Sequence, residues 1–252
     1  AEAYKLRHGD SVTAFGRAAA RKTANPATAP NQTWRDRAWA FVAQCQADLW
    51  SDQGARALAW LHKRELTDTT ICRGGLGYNH RDHYQDRALW GLSAGKPIWL
   101  PRGVVMPWFI GRNLWRVNIR RPVRSGEEPK CIGPAGFSNG LYESDRLSPD
   151  RPAILVEGEL DALTLLQECE DLVAPVATGG TGGARRARWV AKLGLCPRVL
   201  VAFDADEAGE AVRRWWLDAL ENGRYWRPYW GDANGLLQDG ANVRGWVEAG
   251  LD

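Results

Sequence analysis

Apolar and polar positions alternate at helical spacing near the start of the chain. Between residues 34 and 50, apolar side chains recur every three or four positions, which predicts an amphipathic helix. Thr33 is placed to cap this helix, Ser51 to cap a second one, and Thr67 to begin a short third one. The predicted buried face of the first helix consists of Trp34, Ala38, Phe41, Val42, Cys45 and Leu49.

Near residue 103 the spacing of apolar residues changes from that of a helix to that of a β-strand. Residues 103–122 predict two strands joined by a turn at residues 111–113. Strands joined by so short a turn pair antiparallel, so an antiparallel sheet is expected in the first half. By contrast, residues 1–33 have a weak pattern and a stretch rich in Ala, Thr, Asn and Pro, which is typical of a linker or a loosely ordered segment.

From residue 152 onward, strands and helices are predicted to alternate. Short, unbroken apolar runs at residues 153–156, 172–177 and 198–203 are separated by helical segments. Such alternation predicts a parallel sheet with helices on both faces. On the helix after the third run, the predicted apolar stripe consists of Ala208, Ala211, Val212, Trp215, Trp216 and Ala219.

These patterns predict two parts with a boundary near residues 148–152. Residues 34–150 are expected to form a basic α+β subdomain of helices and antiparallel strands. Residues 151–252 are expected to form an α/β domain on a mainly parallel, Rossmann-like sheet. The chain has 252 residues, 44% of them hydrophobic and 25% charged, which suits one large or two small globular domains.

The composition also limits the class of protein. No apolar run approaches the roughly 18–20 residues that span a bilayer, and the start lacks a signal-peptide core, so a cytoplasmic protein without a membrane partner is expected. A net charge of +3 is compatible with nucleic-acid binding but does not require it. Of the 14 tryptophans, most are expected in the core, and some are candidates for stacking on bases.

The cysteines do not indicate a disulfide framework or a zinc site. There are five, an odd number, and none forms a CxxC pair. Cys72, His80 and His83 are a conceivable set of three zinc ligands, but no fourth ligand is evident. We therefore expect no zinc in this chain.

Acidic residues follow two of the predicted parallel strands directly. Glu157 follows the first run, and Asp204 and Asp206 follow the third, which places all three at the same edge of the sheet. Carboxylates gathered there repel one another unless a cation lies between them, and oxygen ligands alone favour Mg²⁺ or Mn²⁺. Such ions suit chemistry at phosphorus. Gly158 and Gly209 allow close approach of the backbone. Taken singly, each acid is also explained as a helix N-cap or a solvated loop residue.

The segments at 155–163 and 199–209 together resemble the TOPRIM domain, which bacterial-type primases, type IA and type II topoisomerases and some nucleases share. The family pattern is a glutamate after the first strand and a DxD motif after a later one. The resemblance implies that Glu157, Asp204 and Asp206 are catalytic and bind the metal. It adds Asp232, within residues 230–240, as a further metal-side aspartate. A plain Asx turn is the open alternative for Asp232.

The resemblance extends over roughly residues 55–240 in family order. Residues 57–79, 103–122, 129–145 and the glycine-rich loop at 177–183 each resemble a segment of the primase catalytic core. This implies a bacterial, phage or plasmid DNA primase, a nucleotidyltransferase that joins NTPs or dNTPs on a single-stranded DNA template. One or more Mg²⁺ or Mn²⁺ ions are the implied cofactors.

The same resemblance implies a set of residues that contact nucleotide or template phosphates. The set consists of Lys130, Arg116, Arg120, Arg121, Gly158, Gly180, Thr181 and Gly209. Gly182 and Arg112 are further candidates. For the arginines a solvated strand face is the alternative, and the pattern does not decide which of Arg120 and Arg121 faces the site.

Two departures from the family keep other functions open. The family's N-terminal zinc-binding domain is not found in this sequence, nor is a helicase segment or a P-loop. We therefore expect a catalytic core that works with a replicative helicase or with the missing domains as partners. The alternatives are a TOPRIM nuclease or topoisomerase-like protein, and a non-catalytic module that binds nucleic acid.

Overall fold

A computed structural model of the protein describes residues 28–122, 129–180 and 182–252. Most of the predicted linker at residues 1–33 lies outside these residues, and so does Thr181. Within the described part, no helix is both long enough and apolar enough to cross a membrane.

The first part of the chain is helical, as the pattern predicts. Its helices are α1 (Gln32–Leu49), α2 (Ala55–Lys63) and α3 (Asp68–Arg73). The predicted buried face of α1 is confirmed residue by residue. Its cap is Asn31, whose side chain accepts a hydrogen bond from the Trp34 amide at 2.8 Å, and the prediction of Thr33 is wrong because the helix has already begun there. Ser51 caps a 3₁₀ turn that leads into α2, and Thr67 caps α3.

An antiparallel sheet follows. The strands of the first half are β1 (Gly77–Asn79), β2 (His83–Gln85), β3 (Ile98–Leu100), β4 (Gly103–Ile110), β5 (Asn113–Arg120) and β6 (Cys131–Ile132). Four of them form a sheet in the order β1-β4-β5-β6, and β2 pairs with β3. Gly111 and Arg112 connect β4 to β5 with φ values of 57° and 65°, the left-handed pair that a tight hairpin requires. The predicted hairpin is confirmed, although Asn113 already belongs to β5.

The second half contains the predicted parallel sheet. Its strands are β7 (Ala153–Val156), β8 (Ala174–Ala177), β9 (Val199–Val201) and β10 (Gly223–Tyr225), in the order β10-β9-β7-β8 and all parallel. The helices are α4 (Glu159–Cys169), α5 (Ala187–Gly194), α6 (Glu207–Ala219), α7 (Ala233–Gln238) and α8 (Val243–Leu251).

Alternate residues of β7 serve two separate cores. Ile154 packs with residues of α4, α7 and α8, whereas Leu155 packs with Trp189 of α5 and Trp216 of α6. The sheet is therefore covered on both faces, which explains why its strands are uninterrupted apolar runs.

The predicted stripe on α6 is correct for Val212, Trp215 and Trp216, which pack in the core, and wrong for Ala208 and Ala211. The buried positions are Gly209, Val212, Arg213 and Trp216, whereas Ala208 and Ala211 are exposed. The reason is Arg213: its guanidinium is fully buried and hydrogen-bonds the chain that follows β9, so a charged residue occupies the inner face. The pattern of apolar residues in a sequence does not identify a buried arginine of this kind.

One of the hydrophobic clusters contains residues of both halves of the chain. Trp108 of β4 and Tyr142 pack in the same cluster as Ile154 and Val156 of β7. Tyr142 also forms a backbone bridge with Ala177 at the end of β8. The division into residues 34–150 and 151–252 remains a prediction, and packing is continuous across it.

Candidate active site

Glu157 lies immediately after β7, at the carboxyl edge of the parallel sheet. Its carbonyl oxygen accepts hydrogen bonds from the amides of Gly179 at 2.8 Å and Gly180 at 3.3 Å. Burial, together with the carboxylates of Asp204 and Asp206, raises the pKa of Glu157 to about 7, and the ammonium of Lys130 opposes this rise. Glu157 is therefore half-buried among like charges, with one cation facing it.

Asp204 joins a second part of the same acidic group. β9 ends at Val201, but the Ala202 amide still donates to Leu155 of β7 at 2.8 Å, which holds the chain against the sheet up to Asp204. Burial, followed by the carboxylates of Asp232 and Asp206, raises the pKa of Asp204 to about 6. The structure thus brings Asp232 close enough to act on Asp204.

Asp206 and Asp232 also serve as helix caps. Asp206 Oδ1 accepts from the Gly209 amide at 2.7 Å and opens α6, and Asp232 Oδ1 accepts from the Gly235 amide at 2.6 Å and opens α7. The capping alternative from the sequence is therefore correct for Asp206, and Asp232, for which an Asx turn was the alternative, is also a helix N-cap. Capping does not exclude metal binding, because each cap uses one carboxylate oxygen and leaves the other available.

Sequence reasoning missed a fifth carboxylate. Asp161, in the first turn of α4, is buried and accepts a hydrogen bond from the Asn234 amide at 2.9 Å. Burial and the charges of Asp232 and Asp204 raise its pKa well above the usual value, and the Asn234 amide and Arg64 oppose that rise. Its position one helical turn after Glu157 is the feature of the sequence that could have indicated this residue.

Two glycines make room for these acids. A Cβ on Gly158 would lie 2.7 Å from Asp161 Oδ2. A Cβ on Gly209 would collide with the Asp204 carbonyl oxygen, and the Gly209 amide is already bonded to Asp206. Gly209 is buried and packs against the Asp204 backbone, and its expected contact with nucleotide phosphates remains a prediction.

Among the described residues, no group of three or more His, Cys, Asp or Glu side chains could hold a metal ion by itself. A divalent cation at these carboxylates would therefore need water or substrate oxygens to complete its coordination. Mg²⁺ commonly keeps several waters and binds one or two carboxylates together with substrate phosphates. The mutual charges of Glu157, Asp204, Asp206 and Asp232 suit such an ion.

A basic cleft of about 550 Å³ lies beside the acids. Its charged lining consists of Arg56, Arg64, Arg102, Arg120, Arg121 and Lys130, and Trp60 and Tyr78 supply aromatic surface. The guanidinium carbons of Arg64 and Arg120 lie 4.9 Å and 5.7 Å from the Trp60 ring centroid. Cations around an indole ring form a surface suited to an anion that carries an aromatic group.

Arg64 joins this cleft to the acidic group. Its Nη1 donates to Asn234 Oδ1 at 2.7 Å, and Asn234 in turn donates its amide to Asp161. Burial and the neighbouring Arg120 lower the pKa of Arg64, and the charges of Asp232 and Asp161 oppose this. Two hydrogen bonds through Asn234 therefore link the wall of the cleft to the acidic group. The sequence alone does not place Arg64 or Trp60 in this site.

Three of the predicted phosphate-binding cations line the cleft. Arg120 lies near Arg64, whereas Arg121 lies over Trp99 at 5.1 Å and its guanidinium donates to the Pro129 carbonyl. Both arginines line the cleft, so which of them contacts phosphate remains a prediction. Lys130 is exposed and faces Glu157.

Arg116 is placed elsewhere. Its guanidinium lies 4.7 Å from the ring centroids of both Trp108 and Phe137, and its Nε donates to Asn118 at 2.7 Å. Arg116 does not line the cleft. Asn118 and Trp108 both donate to the buried Glu159 carboxylate, so this cluster joins the antiparallel sheet to α4. The further candidate Arg112 is exposed in the hairpin turn.

The glycine-rich loop at 177–183 follows β8. Gly180 has φ 126°, which side chains disfavour, and a Cβ there or on Gly182 would meet open space. The Thr178 hydroxyl donates to the Gly180 carbonyl at 3.0 Å. The loop thus presents accessible backbone next to Glu157.

The three conceivable zinc ligands serve other contacts. His80 Nδ1 lies 2.8 Å from Asp48 Oδ2, His83 Nε2 lies 3.2 Å from Gln85, and Cys72 is exposed on α3.

Comparison with known proteins agrees with this geometry. A family model described as Toprim-like matches residues 154–234, whereas no curated protein matches the chain. The DnaG primase catalytic domain bound to ssDNA is 17% identical, and the match covers 86% of this chain and 78% of that one with a TM-score of 0.67. A DNA primase domain from Pseudomonas aeruginosa is 20% identical, with 86% and 78% covered and a TM-score of 0.67.

The RNA polymerase domain of Mycobacterium tuberculosis primase DnaG is similar to the same degree. It is 17% identical, the match covers 86% of this chain and 82% of that one, and the TM-score is 0.67. The chain therefore contains a Toprim-like domain and has the fold of primase catalytic cores, as the resemblance in the sequence implies.

Proposed function

We propose that this protein is the catalytic core of a DNA primase, a nucleotidyltransferase that makes short oligonucleotides on single-stranded DNA. The observation that carries the proposal is the hydrogen-bonded link between the basic cleft and the acidic group through Arg64 and Asn234. The carboxylates attract a metal ion, and the arginines and lysine of the cleft attract phosphate. Together they suit a triphosphate that is bound to a metal ion. A structural neighbour with this fold is bound to ssDNA, which supports the same class of template here.

The acidic group would hold the metal. Asp204, Asp206 and Asp232 supply free carboxylate oxygens for one or two Mg²⁺ or Mn²⁺ ions, which neutralise charge on the triphosphate when bound. Glu157 either shares an ion or takes the proton of the attacking 3′-hydroxyl. A carboxyl with a pKa near 7 suits proton transfer at neutral pH.

The cleft would hold the phosphates. Arg120, Arg121 and Lys130 offer charged donors along one wall, and Arg64 lies where the cleft meets the acids. Charge-assisted hydrogen bonds from guanidinium groups orient phosphate oxygens strongly. NTPs or dNTPs are the substrates, the activity belongs in the cytoplasm, and a replicative helicase or separate domains would bring the template.

The test is synthesis on a defined template. Purified protein is mixed with single-stranded DNA, labelled NTPs or dNTPs, and Mg²⁺ or Mn²⁺, and the products are resolved by length. We expect short oligonucleotides from the wild type and none from Asp204→Ala. Asp218→Ala, which changes an exposed aspartate on α6, is the matched control and should stay active.

Other outcomes would contradict the proposal. Shortened template strands would indicate a nuclease. Binding without any product would indicate a non-catalytic module. Synthesis by a folded Asp204→Ala protein would show that the acidic group does not carry the chemistry.

A further inference from the structure

An exposed aromatic segment lies between β10 and α7. Within residues 225–231, Tyr225 is 51% exposed, Tyr229 66% and Trp230 48%. These are costly exposures for large rings, and contiguous exposed apolar surface commonly marks a binding site. We call the pair formed by Tyr229 and Trp230 the aromatic platform.

The platform is held in a fixed geometry. The ring centroids of Tyr229 and Trp230 are 6.0 Å apart and their planes differ by 32°. Trp230 Nε1 donates to Asp239 Oδ2 at 2.6 Å, which fixes the indole ring. The rings are therefore ordered side by side, and much of their surface faces solvent.

The platform is attached directly to the acidic group. The Ala205 amide, between Asp204 and Asp206, donates to the Gly231 carbonyl at 2.8 Å. Arg227 donates to the Ala205 carbonyl at 3.2 Å, so the aromatic segment holds the acidic loop by both of its backbone groups. Asp232 follows Gly231 in the chain. The segment that carries the two rings therefore lies next to the acidic loop.

Base stacking is an attraction that does not depend on the charge of the site. The carboxylates repel a phosphate backbone unless a metal ion lies between them, whereas stacking attracts bases with or without the ion. Bases stack on exposed aromatic rings without regard to sequence, and each stacked base contributes about 1–3 kcal/mol. Arg227, two residues before Tyr229, is half-exposed and lies 3.6 Å from Glu210.

We propose that Tyr229 and Trp230 form a stacking surface for unpaired bases of a single DNA strand at the carboxylate site. The inference rests on the proposed function, because it assumes that a single strand is bound there. It adds a site on a different segment of the chain from the basic cleft.

The test measures binding without catalysis. Fluorescence anisotropy of a labelled oligo(dT) is recorded with Mg²⁺ and without triphosphates. We expect the Tyr229→Ala/Trp230→Ala variant to bind about fivefold or more weakly. The Tyr229→Phe/Trp230→Phe variant keeps aromatic rings and should retain most of the affinity. Trp50→Ala, which removes an indole of similar exposure (44%) outside the cleft lining, is the matched control.

The salt dependence separates stacking from charge. The alanine variant changes no charge, so its slope of log K against log salt should equal that of the wild type. Arg120→Ala should lower that slope by about one. A changed slope in the alanine variant would contradict stacking.

Several results would overturn the platform. These are unchanged affinity in the alanine variant, an equal loss in the phenylalanine variant or in Trp50→Ala, and a wild type that does not bind oligo(dT). A wild-type dimer that the alanine variant converts to a monomer with equal DNA affinity would show an interface between copies instead. If binding depended on the platform but no oligonucleotides were made, only the proposed function would be contradicted.

Discussion

Among single residues, the acids of the site differ in how readily the sequence reveals them. Glu157 and Asp204 follow apolar runs directly, so the edge of a parallel sheet predicts their meeting. Asp161 depends on a contact between α4 and the Asn234 amide of α7, and Arg64 depends on a hydrogen bond to the Asn234 side chain. Contacts between segments this far apart leave no local pattern, so these residues require the structure.

Gly158 offers a test of Asp161. A Cβ there would lie 2.7 Å from Asp161 Oδ2, so we expect Gly158→Ala to displace that carboxylate. Primer synthesis should fall at least about tenfold while the fold persists, because displacing Asp161 would disturb the neighbouring Asp204 and Asp232, and small misplacements in a site are costly. The measurement is kcat for synthesis, with circular dichroism for the fold.

A matched glycine controls for chain flexibility. A Cβ on Gly194, at the end of α5, would meet open space, so Gly194→Ala should leave activity intact. Equal activity in both variants would show that Asp161 is not needed where it lies.

At the level of elements, α6 shows how a tertiary contact overrides a pattern. Strand β7 and hairpin β4–β5 follow from runs of apolar residues and from turn chemistry, and they form as predicted. The inner face of α6 instead includes Arg213, which donates to the carbonyls of Phe203 at 2.5 Å and Asp204 at 3.2 Å and pairs with Glu210. The helix thereby fixes the backbone that carries Asp204. Strands β1, β2 and β3 are too short, at three residues each, to give a clear period.

Replacing Arg213 should affect both stability and catalysis. Arg213→Met keeps much of the side chain's volume but leaves buried carbonyls without donors, so the free energy of unfolding should fall by about 2 kcal/mol. We expect kcat to fall more than KM changes, because Asp204 would lose its fixed position. Urea unfolding and steady-state kinetics are the measurements.

The neighbouring arginine provides the comparison. Arg214 is exposed, and Arg214→Met should change stability by no more than about 0.5 kcal/mol. If the two variants behaved alike, the buried contacts of Arg213 would not support the site.

For the whole molecule, the acidic group makes stability depend on pH. The folded protein raises the pKa of Glu157 to about 7 and that of Asp204 to about 6, above the ordinary values for these side chains. Groups with raised pKa stabilise the fold fully at low pH, and this contribution is lost as pH rises through the folded pKa. The metal-free protein should therefore lose stability between about pH 4 and pH 7.

Added Mn²⁺ should reverse that loss. A cation binds the ionised carboxylates, so the increase in Tm on adding Mn²⁺ should be larger at about pH 8 than at about pH 5. Thermal unfolding with and without EDTA measures it. The Glu157→Gln/Asp204→Asn variant should show a weaker pH dependence and little response to metal. Equal responses to Mn²⁺ at both pH values would argue against a cation among these acids.

The hydrogen bond from Arg64 to Asn234 has a consequence for engineering. The two residues are 170 positions apart in sequence, yet they set the distance between the cleft and the acids. A chimera that exchanges only one half with a distant relative would separate this matched pair and misalign the site. Recombination of such halves should succeed only where both partners are transplanted together.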